Sequence, residues 1–144
     1  MVNIYGEYTP VLDKLLKQMT EQFTTLNQNY EKKYHERLYE HLCGRVKSEK
    51  SMEDKCQRKG LPLTPNSALR ENRDSVGLRI VCNFVDDIYT CIAAIKKWDN
   101  VSVVKEKDYI TNAKPNGYRS YHMILDVMVP EQDVDGNIPG HYFV

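Results

Sequence analysis

Residue types that bind phosphates and stack on bases are concentrated in the sixteen residues of Lys107–His122. Within this stretch the dipeptide Asn116-Gly117 favours a tight turn, because both residues tolerate positive φ, and it separates Lys114 from Tyr118. Aliphatic and β-branched residues dominate on both sides, so we predict a strand before the stretch and another after it. A strand connection that presents a cation, an aromatic ring and a histidine is typical of a site for a phosphorylated ligand.

A second set of candidate residues lies upstream and is basic. Arg45, Lys47, Ser51 and Lys55 bring three cations and a hydroxyl to a loop and the first turn of a predicted helix. Free backbone N–H groups and the helix dipole favour anions at that end of a helix. The pattern is compatible with a triphosphate site and equally with a solvated basic helix face.

A carboxylate and an arginine accompany the next predicted strand. Asp74 opens the segment D-S-V-G-L-R-I, whose alternation of apolar residues directs Arg79 to the solvent face. An aspartate in such a position is most often a turn former. It becomes a candidate magnesium ligand if phosphates bind nearby, since Mg²⁺ is usually held by one or two carboxylates plus substrate oxygens.

Two residues of the first stretch also have a structural interpretation. His122 shares a predicted strand face with Ile124, which is compatible with a half-buried histidine, and Tyr118 could equally be a core aromatic. The functional interpretation is favoured because the candidate groups follow one another along the chain, each at the boundary of a predicted element.

Hydrophobic periodicity predicts the elements that must position these groups. Apolar residues three and four apart predict a helix from near Pro10, and an i+4 repeat starting at Tyr30 predicts a second helix that ends near Gly44. Ser51 and Asp54 have the spacing of a capping box in a third helix. The elements predicted downstream are a strand over 78–84, a helix over 86–98, strands over 101–110 and 120–129, and a returning strand from Tyr142.

Length and charge indicate one domain with a local anion site. We expect a single unit over 1–144, with N-terminal helices over 1–44 and a mixed sheet with flanking helices over 45–144. Net charge is zero, yet Arg45–Arg79 holds nine basic and five acidic residues. A basic segment in a neutral protein suits nucleotide phosphates better than nonspecific binding along a nucleic-acid backbone. We therefore expect no nucleic-acid partner.

Cysteine usage and the N-terminal sequence favour a cytoplasmic protein. The four cysteines form no CxxC pair, and Cys82 and Cys91 fall in segments that predict buried positions, so we expect reduced structural thiols. The N-terminus has no basic region followed by an apolar one, and no apolar run approaches membrane-spanning length. We expect no membrane partner.

Together, R-V-K-S, D-S-V-G-L-R-I, K-D-Y-I and K-P-N-G-Y-R-S-Y-H resemble the synthetase domain of RelA/SpoT alarmone synthetases, specifically the small, single-domain members. The resemblance runs from about Glu40 to Val129, and G-Y-R-S-Y-H after K-D-Y-I is its most specific part. It implies an α+β fold with a nucleotidyltransferase-like mixed β-sheet flanked by helices. It also implies transfer of a pyrophosphoryl group from ATP to the 3′-hydroxyl of GTP or GDP, giving (p)ppGpp, with Mg²⁺ as cofactor.

The same resemblance implies a role for each candidate residue. Asp74 would ligate magnesium in the catalytic site. Six residues would bind ATP, by stacking on adenine or by holding the triphosphate: Arg45 and Arg79 for adenine, and Lys47, Ser51, Lys55 and Lys107 for the triphosphate. Three residues would bind the acceptor guanine nucleotide: Lys114, Tyr118 and His122.

One motif of the family is expected beyond this sequence. Family members continue the strand that begins at Tyr142 with E-[IV]-Q-[IL]-R-T, whose glutamate would be the second magnesium ligand and general base. That glutamate would fall after Val144, and Glu131 does not match the motif. We therefore expect a C-terminally incomplete core that binds nucleotides with little or no turnover. Complete small members form homotetramers, and we expect a weaker oligomer or a monomer here.

Three alternatives remain open from the sequence. The chain could bind ATP and guanine nucleotides without performing chemistry. It could resemble related synthetases that use an adenine nucleotide or the 3′ end of tRNA as acceptor. A plain α+β interaction domain is the third alternative, but it leaves the ordered motifs unexplained.

Overall fold

The computed structural model describes residues 3–112, 115–116 and 119–144, and within them the chain has the predicted α+β class. The helices and strands are α1 (Thr9–Tyr34), β1 (His41–Val46), α2 (Glu49–Arg58), β2 (Val76–Val81), α3 (Val85–Ile95), β3 (Val101–Asp108), β4 (Tyr121–Val129) and β5 (Gly140–Phe143). A 3₁₀ turn at Gly6–Tyr8 precedes α1, and a π-helical turn at Ser67–Glu71 precedes β2. Over these residues, no helix is long and apolar enough to cross a membrane.

The described strands form two antiparallel sheets. β1 pairs with β2, so that His41 lies opposite Val81 and Val46 lies opposite Val76. β3, β4 and β5 form the second sheet, with β4 in the centre. The sequence predicted one mixed sheet, whereas the pairings between described strands are all antiparallel and lie in two sheets. Alternation of apolar residues marks a strand but does not specify its partner or direction.

Helix α1 supplies one side of the hydrophobic core. Leu12, Leu15, Met19 and Phe23 recur at intervals of three and four residues and are buried. Burial of one such side chain stabilises the fold by roughly 1.5–3 kcal/mol relative to exposure. The ring of Phe23 meets Trp98 edge to face, with centroids 5.0 Å apart. Other buried members of this core are Ile4, Tyr5, Tyr39, Met52, Cys56, Val76, Ile95, Leu125, Val127, Val129 and Tyr142.

The prediction of a second N-terminal helix is wrong. Helix α1 continues to Tyr34 and ends at His35, which adopts a left-handed backbone (φ 60°). The side chain of Asn27 then holds the following bend, because its Oδ1 accepts the N–H of Leu38 at 2.7 Å and its Nδ2 donates to the carbonyl of Tyr39 at 3.3 Å. The i+4 repeat therefore runs through the last turns of α1, a bend and β1.

Gly44 consequently has a different role from the helix cap that was predicted. It lies inside β1, opposite Leu78, so the predicted division between residues 44 and 45 cuts a strand. A Cβ at Gly44 would lie 2.8 Å from Cδ1 of Leu16. Glycine therefore permits the close approach of α1 to β1, and pairing with β2 decides the local structure.

The downstream elements confirm the prediction in type and order, but the strand predicted over 78–84 is β2, which ends at Val81. The helix predicted over 86–98 is α3, and the strands predicted over 101–110 and 120–129 are β3 and β4. The returning strand predicted from Tyr142 is β5. Helix α2 differs, because its N-cap is Ser48 and not Ser51: Ser48 Oγ accepts the N–H of Ser51 at 3.2 Å.

All four cysteines are free thiols, as expected. Cys91 is buried, whereas Cys82 is only half-buried, because it follows the last paired residue of β2.

Candidate active site

Arg45 and Arg79 lie on the solvent face of the first sheet. Arg45 is opposite Gly77 and Arg79 is opposite Cys43, so the two arginines are diagonal neighbours on paired strands, and both are exposed. A Cβ at Gly77 would meet nothing within 4 Å. The surface between the arginines is therefore open, and two guanidinium planes flanking such a surface can stack on an aromatic base.

Asp74 forms salt bridges with Lys47 and Lys55. Its Oδ2 lies 2.9 Å from Nζ of Lys47 and 2.8 Å from Nζ of Lys55. Lys47 directly follows β1, and its N–H donates to the carbonyl of Ser75 at 2.7 Å, which extends the strand pairing to Asp74's neighbour. Lys55 lies in the second turn of α2. One carboxylate thus ties the ends of β1 and β2 to the helix that follows β1.

Lys47, Lys55 and Asp74 form a triad in which the two lysines keep Asp74 ionised. Burial alone would raise the pKa of Asp74, but the hydrogen bonds from Lys55 and Lys47 outweigh it, so the pKa lies below its usual value. The second oxygen, Oδ1, is shielded from solvent, and no hydrogen-bond donor among the described residues reaches it. An ionised oxygen without a donor is a suitable ligand for a hard cation.

The N-terminus of α2 lies beside the triad in sequence. Ser48 caps it, and the hydroxyl of Ser48 donates to Oγ of Ser51 at 2.9 Å. The backbone N–H groups of Glu49 and Lys50 occupy the first helical positions, where no intrahelical acceptor exists. The exposed hydroxyl of Ser51 and these N–H groups can therefore receive anionic oxygens.

The second sheet presents two other candidate residues. Lys107 on β3 lies directly opposite His122 on β4, and both are exposed. The imidazole of His122 meets the ring of Tyr109 edge to face at 5.3 Å. The N–H of Tyr109 donates to the carbonyl of Ser120 at 2.8 Å, which closes the base of the connection between the strands.

Comparison with known proteins decides the family. A sequence model described as a region found in RelA and SpoT proteins matches residues 44–137. The chain belongs to the RelA/SpoT family. It is 37% identical over 114 residues to the GTP pyrophosphokinase YwaC of Bacillus subtilis, covering 79% of this chain and 54% of YwaC. It is 40% identical over 97 residues to the GTP pyrophosphokinase YjbM of the same organism, covering 67% of this chain and 44% of YjbM.

Solved structures agree with this assignment. The small alarmone synthetase 1 of Bacillus subtilis, bound to its product pppGpp, superposes with a TM-score of 0.77 at 30% identity, covering 95% of this chain and 66% of that one. A GTP pyrophosphokinase family protein of Streptococcus pneumoniae superposes with a TM-score of 0.82 at 26% identity, covering 100% and 68%. The chain spans about half the length of the curated relatives it matches.

The RelA/SpoT residues expected from the sequence fall into two structural groups. The first sheet and α2 bring together Lys47, Lys55 and Asp74, and present Arg45, Arg79 and Ser51 nearby along the same elements. Lys107, expected to hold the donor triphosphate, lies opposite His122, which is expected to contact the acceptor. Lys114 and Tyr118 lie outside the described residues, so their expected roles stay predictions.

Sequence reasoning missed two supports of the first group. The hydroxyl of Tyr5 donates to the carbonyl of Lys47 at 2.6 Å, so the segment before α1 fixes the backbone that carries this lysine. The guanidinium groups of Arg70 and Arg73 lie 5.5 and 5.3 Å from the ring centroid of Phe143, which places β5 beside the segment that leads into Asp74. No sequence signal marked Tyr5, because its contact spans 42 residues.

Proposed function

We propose that this RelA/SpoT-type chain carries the nucleotide sites of a GTP pyrophosphokinase, which transfers a pyrophosphoryl group from ATP to the 3′-hydroxyl of GTP or GDP to form (p)ppGpp. The observation that carries the proposal is the convergence of Lys47 and Lys55 on one oxygen of Asp74, beside the cap of α2. Relatives named as GTP pyrophosphokinases and a related structure holding pppGpp support the same chemistry.

The donor nucleotide would occupy the first sheet and α2. Adenine would stack between Arg45 and Arg79 over the open surface at Gly77. Lys47, Lys55 and the hydroxyl of Ser51 would bind its triphosphate, and Lys107 would bind it from β3. Since the two lysines share one carboxylate oxygen in the described structure, phosphate oxygens would replace Asp74 as their partner, and the cations would stabilise charge on the transferred group.

Magnesium fits the donor set at Asp74. Oδ1 is ionised and without a donor among the described residues, and Mg²⁺ favours such carboxylate oxygens. No group of three or more His, Cys, Asp or Glu side chains suited to a metal occurs in the described part of the chain, so waters and phosphate oxygens would complete the coordination. Bound Mg²⁺ would neutralise charge on the triphosphate.

The acceptor nucleotide would occupy the open end of the second sheet. Tyr118 would stack on guanine, while Lys114 and His122 would contact the rest of the nucleotide. The proposal includes a cytoplasmic location, a homo-oligomeric assembly of the complete protein and no nucleic-acid partner. The basic residues concentrated between Arg45 and Arg79 in a chain of zero net charge support the last point.

Binding measurements test the proposal. Calorimetry with a non-hydrolysable ATP analogue and with GTP, each with magnesium, is expected to show two independent sites. With the donor site filled by a saturating ATP analogue, calorimetry with GTP, GDP, ADP and tRNA in turn identifies the acceptor. Failure to bind the ATP analogue would overturn the donor site. Binding of ADP or tRNA, and not of GTP or GDP, would overturn the acceptor assignment.

A further inference from the structure

A compact turn follows the last residue of β3. Asp108 Oδ1 accepts the backbone N–H groups of Ile110 at 2.8 Å and of Thr111 at 2.9 Å. Its Oδ2 accepts the hydroxyl of Thr111 at 3.0 Å. An aspartate that binds the backbone two and three residues ahead fixes the direction in which a chain leaves a strand.

Helix α3 contacts this turn through the hydroxyl of Tyr89. Tyr89 donates to Oδ2 of Asp108 at 2.8 Å and lies 3.0 Å from the hydroxyl oxygen of Thr111. The ring of Tyr89 packs edge to face on Tyr121, with centroids 6.1 Å apart. Because Tyr121 lies opposite Asp108 in the β3–β4 pairing, Tyr89 spans both strands at the point where they separate.

Asp108 is ionised when it accepts these bonds. The backbone hydrogen bond from Thr111, followed by that from Tyr89, lowers the pKa of Asp108 below its usual value. A hydrogen bond to an ionised carboxylate is shorter and stronger than one between neutral groups. The tether from α3 is therefore a charge-assisted bond at neutral pH.

The connection that leaves this turn contains the proposed acceptor residues. It begins at Tyr109, whose N–H is bonded to Ser120 and whose ring lies against His122. Lys114 and Tyr118 belong to the same connection in sequence. The turn at Ile110 and Thr111 therefore sets the direction in which the chain leaves β3 toward these residues.

We propose that Tyr89 is a positioning residue for the acceptor nucleotide, which acts by tethering Asp108 and thereby fixing the turn at Ile110 and Thr111 through which the chain leaves β3. The inference rests on the proposed function, because it assigns the acceptor to the connection that follows this turn. Tyr89 would touch neither nucleotide. Its contribution is preorganisation, since a turn already held in place by hydrogen bonds loses less entropy when the ligand binds.

The variant Tyr89→Phe removes only the hydroxyl and keeps the ring that packs on Tyr121. By calorimetry, the Kd for GTP is expected to rise about two- to tenfold, the range that corresponds to the net contribution of one hydrogen bond. The Kd for a non-hydrolysable ATP analogue is expected to stay unchanged. The matched control is Tyr121→Phe, which removes a hydroxyl bonded to Glu106 at 2.6 Å and leaves Asp108 untouched, and which should leave both Kd values unchanged.

Amide hydrogen exchange tests the tether without any ligand. In Tyr89→Phe the N–H groups of Ile110 and Thr111 should exchange several-fold faster, while amides in α1 keep their protection. Unchanged exchange there, or GTP affinity equal to that of the unsubstituted protein, would overturn the positioning role alone. Absence of GTP binding in the unsubstituted protein would overturn the proposed acceptor site and, with it, this inference. Equal losses for both nucleotides would assign Tyr89 to general stability and overturn the inference.

Discussion

The two sheets hold their candidate groups by different physical means. On the first sheet, the side chains of Lys47 and Lys55 are only 24% and 27% exposed, and both are paired with Asp74. On the second sheet, Lys107 and His122 are exposed on paired strands, and hydrogen bonds to Asp108 fix the turn at Ile110 and Thr111 that follows β3.

Ion pairing therefore holds Lys47 and Lys55 at the first sheet, whereas backbone geometry matters more on the second sheet. On the proposed donor side, two lysines share one carboxylate oxygen, so net positive charge remains and a bound triphosphate would replace Asp74 as their partner. Half-buried ion pairs are sensitive to removal of one member, because the other is left uncompensated. On the proposed acceptor side, affinity should respond to stacking and to the order of the turn at Ile110 and Thr111.

The largest effect is expected from Lys55→Ala, which breaks the charge network of the donor side. Loss of a charge-assisted hydrogen bond of roughly 1.5–3 kcal/mol should raise the Kd for an ATP analogue about ten- to a hundredfold, while GTP binding stays near normal. Calorimetry measures both. Lys32→Ala, an exposed lysine in the last turn of α1, is the matched control for net charge. An equal loss for both variants would mean that overall charge, and not the triad, binds the donor.

On the acceptor side, Tyr118→Ala should weaken GTP binding by roughly 1–3 kcal/mol, the range expected for stacking of a base on an aromatic side chain. ATP binding should stay near normal, because the proposed donor groups other than Lys107 lie on the first sheet and α2. Titration with each nucleotide separates the two sites. If both affinities fell together, Tyr118 would be a structural residue and the comparison between the sheets would fail at this position.

A smaller effect is expected at the open face of the first sheet. Arg45→Ala and Arg79→Ala should each weaken ATP binding by roughly 1–2 kcal/mol, since each removes one cation–π partner of adenine. Arg37→Ala removes an exposed arginine that pairs only weakly with Glu40, at 3.8 Å, and serves as the control. If calorimetry showed unchanged ATP affinity in both Arg45→Ala and Arg79→Ala, adenine would not bind at this face.

The smallest effect is expected in the pH dependence of stability. The folded-state pKa of Asp74 lies below its ordinary value of 3.8, so the unfolded chain takes up a proton first as the pH falls. The stabilisation by Asp74 is therefore complete above that value and is lost as the pH falls through the folded-state pKa. Denaturant unfolding of Asp74→Asn should show a shallower loss of unfolding free energy below about pH 4 than the unsubstituted protein. Because Asp74 is 43% exposed, solvent screening keeps the difference small. If the unfolding free energy fell equally with pH in both proteins, the triad would add no stability.

The sequence predicted the candidate groups from local pattern, and the structure describes all of them except Lys114 and Tyr118. Alternation in β2 placed Arg79 on the solvent face, and the apolar runs around the connection predicted β3 and β4. The motif K-P-N-G-Y-R-S-Y-H was sufficient for the family. These signals depend on neighbours within a few residues, so no partner element had to be known.

Tertiary structure alone decided how those groups are held. The i+4 repeat after Tyr30 predicted a helix, but pairing with β2 made the segment around Gly44 a strand, since long-range hydrogen bonds outweigh a short periodic pattern. The tethers from Tyr5 to Lys47 and from Tyr89 to Asp108 join residues 42 and 19 positions apart. Such contacts arise only when separate elements pack together, so sequence pattern named the chemistry and packing determined its geometry.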